Sequence, residues 1–283
     1  VDSLKTHIAS LKDFPKVNLL FLVIALGVVY ATIVPGMVHD WANDPNYSHG
    51  FLVPLISGYF LYQAWPELKS APVRPSYFGL VVIVGSLLLL LLGYMGTEYF
   101  TIRSSLVFLL AGIVLFWFGW EVLRLVSLPI AFLIFMVPLP YIVYDAIAFP
   151  LKLMVTEASV AVMKMLSLPV VREGNIIMFP QTVLEVADAC SGLRSLMSLI
   201  TLAVALAFVS LKSAVKRTIL IVSAVPVAIA TNMFRVIVTG VLASRYGAAV
   251  AEGFFHEFAG LAVFAVAMVL LFSECALLRK VGR

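Results

Sequence analysis

Charge is what this sequence has least of. Only 12% of its 283 residues are Asp, Glu, Lys or Arg, 63% are apolar, and the mean hydropathy is +1.09. A soluble globule needs about a quarter of its residues charged to cover its surface. A soluble fold is therefore excluded, and a polytopic membrane protein is expected. Cysteine is nearly as scarce. Cys190 and Cys275 allow at most one bridge, which excludes a disulfide scaffold. The formal charge of +4 is small and scattered, so no nucleic-acid partner is expected. The four histidines form no group at ligand spacing, and His49 and His256 stand without companions, so neither a metal nor another cofactor is expected. Tandem repeats, low-complexity tracts and an appended polar domain are also missing. The expectation is one transmembrane domain over residues 1–283.

What the chain has in abundance is long apolar runs. They lie at 17–38, 50–65, 78–96, 104–120, 125–142, 193–211, 218–243 and 258–278. Each approaches the roughly 20 residues that cross a bilayer as a helix, and helices are the default because unpaired backbone is costly in lipid. The first run follows a polar stretch with Lys5, Lys12 and Lys16, and no small-residue cleavage site follows it, so it reads as an uncleaved anchor.

Residues 143–166 are apolar on average but carry Asp145, Lys152, Glu157 and Lys164, and Pro150 interrupts them. Charge parity decides how to read them. If the segment lies flat at the interface, eight spans put both termini on one side. That side then collects twelve basic residues, including Lys212, Lys216, Arg217, Arg279 and Lys280. The other side has five: Arg103, Lys152, Lys164, Arg172 and Arg245. Twelve against five satisfies the positive-inside rule; a spanning 143–166 would put Lys212–Arg217 outside. The expected fold is therefore all-α and polytopic, with about eight transmembrane helices, one interfacial amphipathic helix and a small outer β-hairpin. The hairpin comes from two β-prone runs, VVREGNIIMF and TVLEVA, separated by Pro180, Gln181 and Thr182. It leads directly into Asp188, Ala189 and Cys190.

Cys190 stands in DACSGLRS, where the hairpin ends and the sixth apolar run begins, whereas Cys275 lies near the far end of the last run. Cys190 can be read as a small buried residue. Its neighbours Asp188, Ser191, Gly192 and Arg194 are polar, however, and unpaired N–H groups at a helix N-terminus lower a thiol pKa. Arg235 sits well inside the seventh run, where a guanidinium is costly. It either snorkels outward or faces a site inside the bundle, and Asn232 shares its helical face. His256 stands at the start of the last run. Cys190, Arg235 and His256 thus fall on three consecutive spans, all in the outer half. A Cys nucleophile needs a base, which His supplies near neutral pH, and an acyl-transfer oxyanion needs permanent donors, which Arg supplies. Arg194 either helps hold the thiolate or pairs with Asp188 or Glu185. His49 either faces the same cavity or is an interface residue.

At these residues the chain resembles the exosortase family, the membrane-embedded Cys transpeptidases paired with PEP-CTERM sorting signals. The resemblance runs through PNYSHGFLVPLIS at 45–57, FMVPLP at 135–140, REGNIIMFPQTVLEVADACSGLRSL at 172–196, NMFRVIVTG at 232–240 and AEGFFHEFAGLAVF at 251–264. It implies that the family's Cys, Arg and His are Cys190, Arg235 and His256, with no cofactor. The His, where archaeosortases carry Arg, places the chain nearer the bacterial branch. Pro180, Gln181 and Thr182 stand where the family often has a Gly pair, and the extra C-terminal domain of some members is not in this sequence, which leaves the subfamily open.

The resemblance also implies the partners. They are secreted proteins with a C-terminal Pro-Glu-Pro motif, a hydrophobic span and basic residues, whose Glu would pair with Arg194 or Arg172. The acceptor is an amine or hydroxyl of a lipid or glycan, or water. The implied location is the bacterial cytoplasmic (inner) membrane, multi-pass, with both termini cytoplasmic and the site periplasmic. The rival from another class is a transporter or flippase that binds an anionic substrate at Arg235. An acyltransferase using His256 as a base, without covalent catalysis, and a polysaccharide-assembly subunit are weaker rivals.

Overall fold

A computed structural model of the chain describes residues 16–186, 192–247 and 254–281; for residues 16 and 254–257 it describes the backbone alone. These residues fall into two compact units, Val1–Pro140 and Tyr141–Arg283. The helices are α1 (Lys16–Val29), α2 (Ile33–Asn43), α3 (Leu52–Leu68), α4 (Phe78–Met95), α5 (Tyr99–Phe132), α6 (Tyr141–Met165), α7 (Leu193–Ser210), α8 (Ala214–Tyr246) and α9 (Phe254–Lys280). Three short strands, β1 (Val171–Glu173), β2 (Ile176–Met178) and β3 (Val183–Glu185), lie between α6 and α7.

In the first unit, Gly79 of α4 meets Phe116 of α5, Gly112 meets Ile83, and Gly93 meets Ile102, so α4 packs antiparallel on the first half of α5 with close backbone approach. Gly119 then breaks the helix at φ 84°, ψ −173°. A side chain there would meet the Arg74 carbonyl as well as the strained backbone. The second half of α5 packs on α3: the Ser57 hydroxyl donates to the Pro129 carbonyl at 2.8 Å, and Phe60 sits edge-on to Phe132. Adjacent residues prove the reversal. Asp40 reaches Arg103 near the start of α5, while the Trp41 indole donates to the Met136 carbonyl just beyond its end. A straight helix would hold residues 103 and 136 about 50 Å apart. The chain therefore turns back at Gly119, which separates the expected runs 104–120 and 125–142 into two legs.

Six helices among the described residues are long and apolar enough to cross a bilayer, or seven if α1 and α2, bent by 62°, make one crossing; α5 counts once in that number. The expected eight spans are not confirmed. α3, at 17 residues, is not among the six, and α6 is. The flat interfacial helix expected at 143–166 is likewise not confirmed, since α6, though the least apolar of the six, is long and apolar enough to cross.

In the second unit, α7, α8 and α9 pack through small side chains, including Ala203, Ala207, Ala224, Ala228 and Ala267. α6 lies along the later half of α8: the Ser159 hydroxyl donates to the Met233 carbonyl at 3.5 Å, and Met163 packs on Gly240. The expected hairpin is a three-stranded meander, order β1-β2-β3, with Arg172 opposite Ile177 and Ile177 opposite Leu184. The extra turn is Gly174–Asn175, with Gly174 at φ 60°. Ile177 is fully buried and packs the sheet on α6 and α8 with Met163, Phe179 and Val236. The sheet therefore caps the end of the unit where α8 finishes and α7 and α9 begin.

Candidate active site

α7 starts at Gly192, which holds φ 82° and ψ −3° while its carbonyl accepts from the Leu196 N–H at 2.8 Å. The residue pressed against it is Asn232 of α8, which is 3% exposed. A methyl on Gly192 would stand 2.8 Å from Asn232 Nδ2 and 3.1 Å from its Cβ. Left-handed backbone and close approach together require glycine here. The amide of Asn232 thus fixes where the chain enters α7.

Arg235 follows Asn232 by three residues, so the two share one face of α8. It is half-buried, and its guanidinium lies against α9: a methyl on Gly260 would stand 3.5 Å from Cζ and Nη2 and 3.6 Å from Nη1. His256 belongs to the first turn of α9, four residues before Gly260. Residues four apart share a helix face, and the backbone of His256 lies about 6 Å up the axis from Gly260. One face of α8 therefore meets the start of α7 through Asn232 and the His256 face of α9 through Arg235.

Cys190 lies outside the described residues, as do Asp188 and Ser191. Arg194 is exposed in the first turn of α7. Arg172 is turned to α6, where it donates from Nη1 to the Leu153 carbonyl at 3.3 Å and pairs with Glu157 at 3.4 Å. His49 belongs to the first unit, in a 3-10 turn over Pro45–Phe51. Burial lowers its pKa, against opposing pulls from the backbone of Phe135 and Asn46, so the ring is neutral near pH 7. Cys275 is buried, about 22 Å along α9 from Gly260. Its end of the cluster carries Lys216, which donates to the Val281 carbonyl, and Arg217, stacked 4.5 Å over Phe208.

Sequence reasoning missed Gly260. The available signal was its place one helical turn beyond His256, in FHEFAG. The fit of Arg235 on this glycine sets a graded test. Gly260→Ala adds a methyl at ordinary contact distance and is expected to keep most activity. Gly260→Leu must push the guanidinium aside and is expected to abolish it, with near-wild-type stability, since Gly260 is only partly buried. Loss of activity in Gly260→Ala equal to that in Gly260→Leu, measured as processing rate beside a melting curve, would remove the significance of this contact.

A family model described as transmembrane exosortase matches residues 41–273, well over half of the chain and reaching into both units. No curated protein and no solved structure matches.

Proposed function

The chain belongs to the transmembrane exosortase family, membrane-embedded sorting transpeptidases that act on secreted proteins with C-terminal signals, and we propose that here Cys190 is the nucleophile, Arg235 the oxyanion donor and His256 the proton carrier. One observation carries this reading. The face of α8 that holds Asn232 against Gly192 also holds Arg235 against Gly260, one turn from His256. Covalent geometry lets Cys190, two residues before Gly192, stand no more than about 7 Å from it. Three residues far apart in sequence are thereby tethered to one end of one helix cluster.

In the proposed reaction the Cys190 thiolate attacks the carbonyl carbon of the scissile peptide bond in a Pro-Glu-Pro-type tail. The C–O double bond becomes an oxyanion, which the guanidinium N–H groups of Arg235 hold. As the C–N bond breaks, the imidazolium of His256 gives its proton to the departing amine, leaving a Cys190 thioester. An acceptor amine or hydroxyl, or water, then attacks the thioester. His256 takes its proton and Cys190 leaves as thiolate. Asn232 is the positioning residue that fixes the start of α7. Arg194, exposed beside that turn, is the better placed of the two candidate arginines to meet the motif's Glu, because Arg172 is committed to Glu157.

The reaction requires the sheet end of the second unit to face outward from the inner membrane. The basic residues Lys212, Lys216, Arg217, Arg279 and Lys280 at the opposite end support that orientation. A reporter fused at Ser213 is therefore expected to read cytoplasmic, and one at Asn175 external. The reverse pattern would place the site on the wrong side for a secreted substrate and overturn the reading.

Gly192 offers a further test. Gly192→Ala is expected to lose most processing, because the left-handed backbone costs a non-glycine residue about 1–2 kcal/mol and the methyl collides with Asn232. Asn232→Ala in the same chain opens space for that methyl and should recover part of the lost stability. A Gly192→Ala enzyme with wild-type rate would show that the seat of Cys190 does not depend on this contact.

A further inference from the structure

The first unit contains a cavity of about 160 Å³ that the proposed reaction does not use. It lies between the α1–α2 break and the start of α5, and is lined by Thr32, Gly36, Tyr94, Tyr99 and Arg103, with Ile33 and Ile102 behind them. Arg103 is 8% exposed, an expensive position for a charge unless its surroundings answer it. Part of the answer is Asp40, 2.6 Å from Nη2. Tyr99 supplies a ring 5.4 Å from the guanidinium carbon. A guanidinium has five N–H donors, and one carboxylate contact engages only part of them. Asp40 stands outside the lining, against Arg103, and its carboxylate is about one-third exposed, so a ligand reaching past the guanidinium meets the negative member of the pair.

Position adds to chemistry. The cavity adjoins the turn that joins α4 to α5, at the ends of two candidate spans, where head groups lie. Tyr94 and Tyr99 on its rim are 49% and 66% exposed, as tyrosines of an interfacial belt are. A phosphate group fits the volume. A purely anionic ligand would meet Asp40 unfavourably, whereas a ligand with an ammonium beside its phosphate meets both charges with their opposites.

We propose that this cavity binds the phosphoethanolamine head group of a membrane phospholipid, with its phosphate on Arg103 and the Tyr and Thr hydroxyls and its ammonium on Asp40. Tyr99 covers the guanidinium, and the apolar wall of Ile33 and Ile102 receives the glycerol end. The same phosphate chemistry could come from free phosphate, and the test separates the two sources.

The test is native mass spectrometry of the full chain in detergent, stripped of lipid and then offered phosphatidylethanolamine, phosphatidylglycerol or inorganic phosphate. The expected result is retention of phosphatidylethanolamine with about tenfold preference over phosphatidylglycerol, the size of one charge-assisted hydrogen bond. Gly36→Leu should remove that adduct by filling the cavity, because the Gly36 position faces Arg103 Nη2 at 4.0 Å. Gly27→Leu, at a position with nothing within 4 Å, should leave it. Asp40→Asn should erase the preference between the lipids. Equal retention of both lipids by the wild type, retention in a folded Gly36→Leu, or displacement of the lipid by inorganic phosphate would each overturn the proposal. If Gly36→Leu does not fold, an unchanged preference in Asp40→Asn overturns it alone.

Discussion

Cys190→Ala is expected to reduce processing of a Pro-Glu-Pro-tailed substrate to background, with the protein still folded and inserted. Removing the nucleophile from enzymes that work through an acyl intermediate costs on the order of 10⁶ in rate. Cys190→Ser should fare little better, because a hydroxyl in place of the thiol gives a far weaker nucleophile where the site is built to hold a thiolate. The control lies in the same chain. Cys275 is 3% exposed and about 22 Å down α9 from Gly260, so Cys275→Ala should cost only about 1 kcal/mol of stability and no chemistry. Two readouts settle the matter: processing of the substrate, and a mass adduct of one acyl group that the wild type forms and Cys190→Ala does not. Substantial processing by Cys190→Ala would end the covalent reading. It would favour His256 acting as a base without an intermediate, and unimpaired solute movement by the same variant would favour a transporter built on Arg235.

The helices were legible because apolar length needs no tertiary information. Runs 78–96, 193–211, 218–243 and 258–278 correspond to α4, α7, α8 and α9 to within four residues at every end. The boundary between 104–120 and 125–142 was legible as a pause in apolarity, but its cause was not. Gly119 breaks α5 because the Arg74 carbonyl needs the space, and no local pattern foretells a contact between residues 45 positions apart. In segment 143–166 charge and apolar length point different ways. Asp145, Lys152, Glu157 and Lys164 argued for a flat helix, yet α6 is long and apolar enough to span, and Glu157 is engaged by Arg172 rather than by solvent alone. In the sheet, the Gly174–Asn175 pair was the visible signal of an additional turn, and two-residue turns with glycine are the commonest hairpin connections. Within the candidate site, the residue types of Cys190, Arg235 and His256 could be read directly. Their place on three consecutive apolar runs could be read too; the contacts of Gly192 with Asn232 and of Gly260 with Arg235 could not, because their significance is the side chain each glycine lacks. The Arg103–Asp40 pair was hidden for a related reason: the sequence sets Arg103 among the outer-side charges, and only the fold, by joining α2 to α5, brings Asp40 to it.

Arg235 and His256 are expected to fail differently, and that difference is the sharpest test of their roles. Arg235→Lys keeps the positive charge but loses the planar fork of donors. Loss of one oxyanion donor typically costs about 10²–10³ in rate, and the compact ammonium of a lysine cannot span the flat guanidinium seat on Gly260. His256→Ala removes the proton to the leaving amine and the base for the second step, together worth about 10²–10⁴. The first of those losses disappears when the leaving group needs no proton. An activated thioester or aryl ester of the recognition peptide should therefore still label Cys190 in His256→Ala, more slowly than in the wild type because the thiol has lost its base, and then stay attached because deacylation lacks it too. The same reagent should label Arg235→Lys far more slowly, since every attack on that carbonyl develops an oxyanion whatever group departs. Intact-protein mass measured over time reads both phases, and melting curves establish that each variant is folded. Equal labelling of the two variants would mean that the roles are assigned wrongly. Fast labelling of Arg235→Lys with none of His256→Ala would reassign both, making activation of the thiol the main task of His256 and leaving Arg235 to bind the tail.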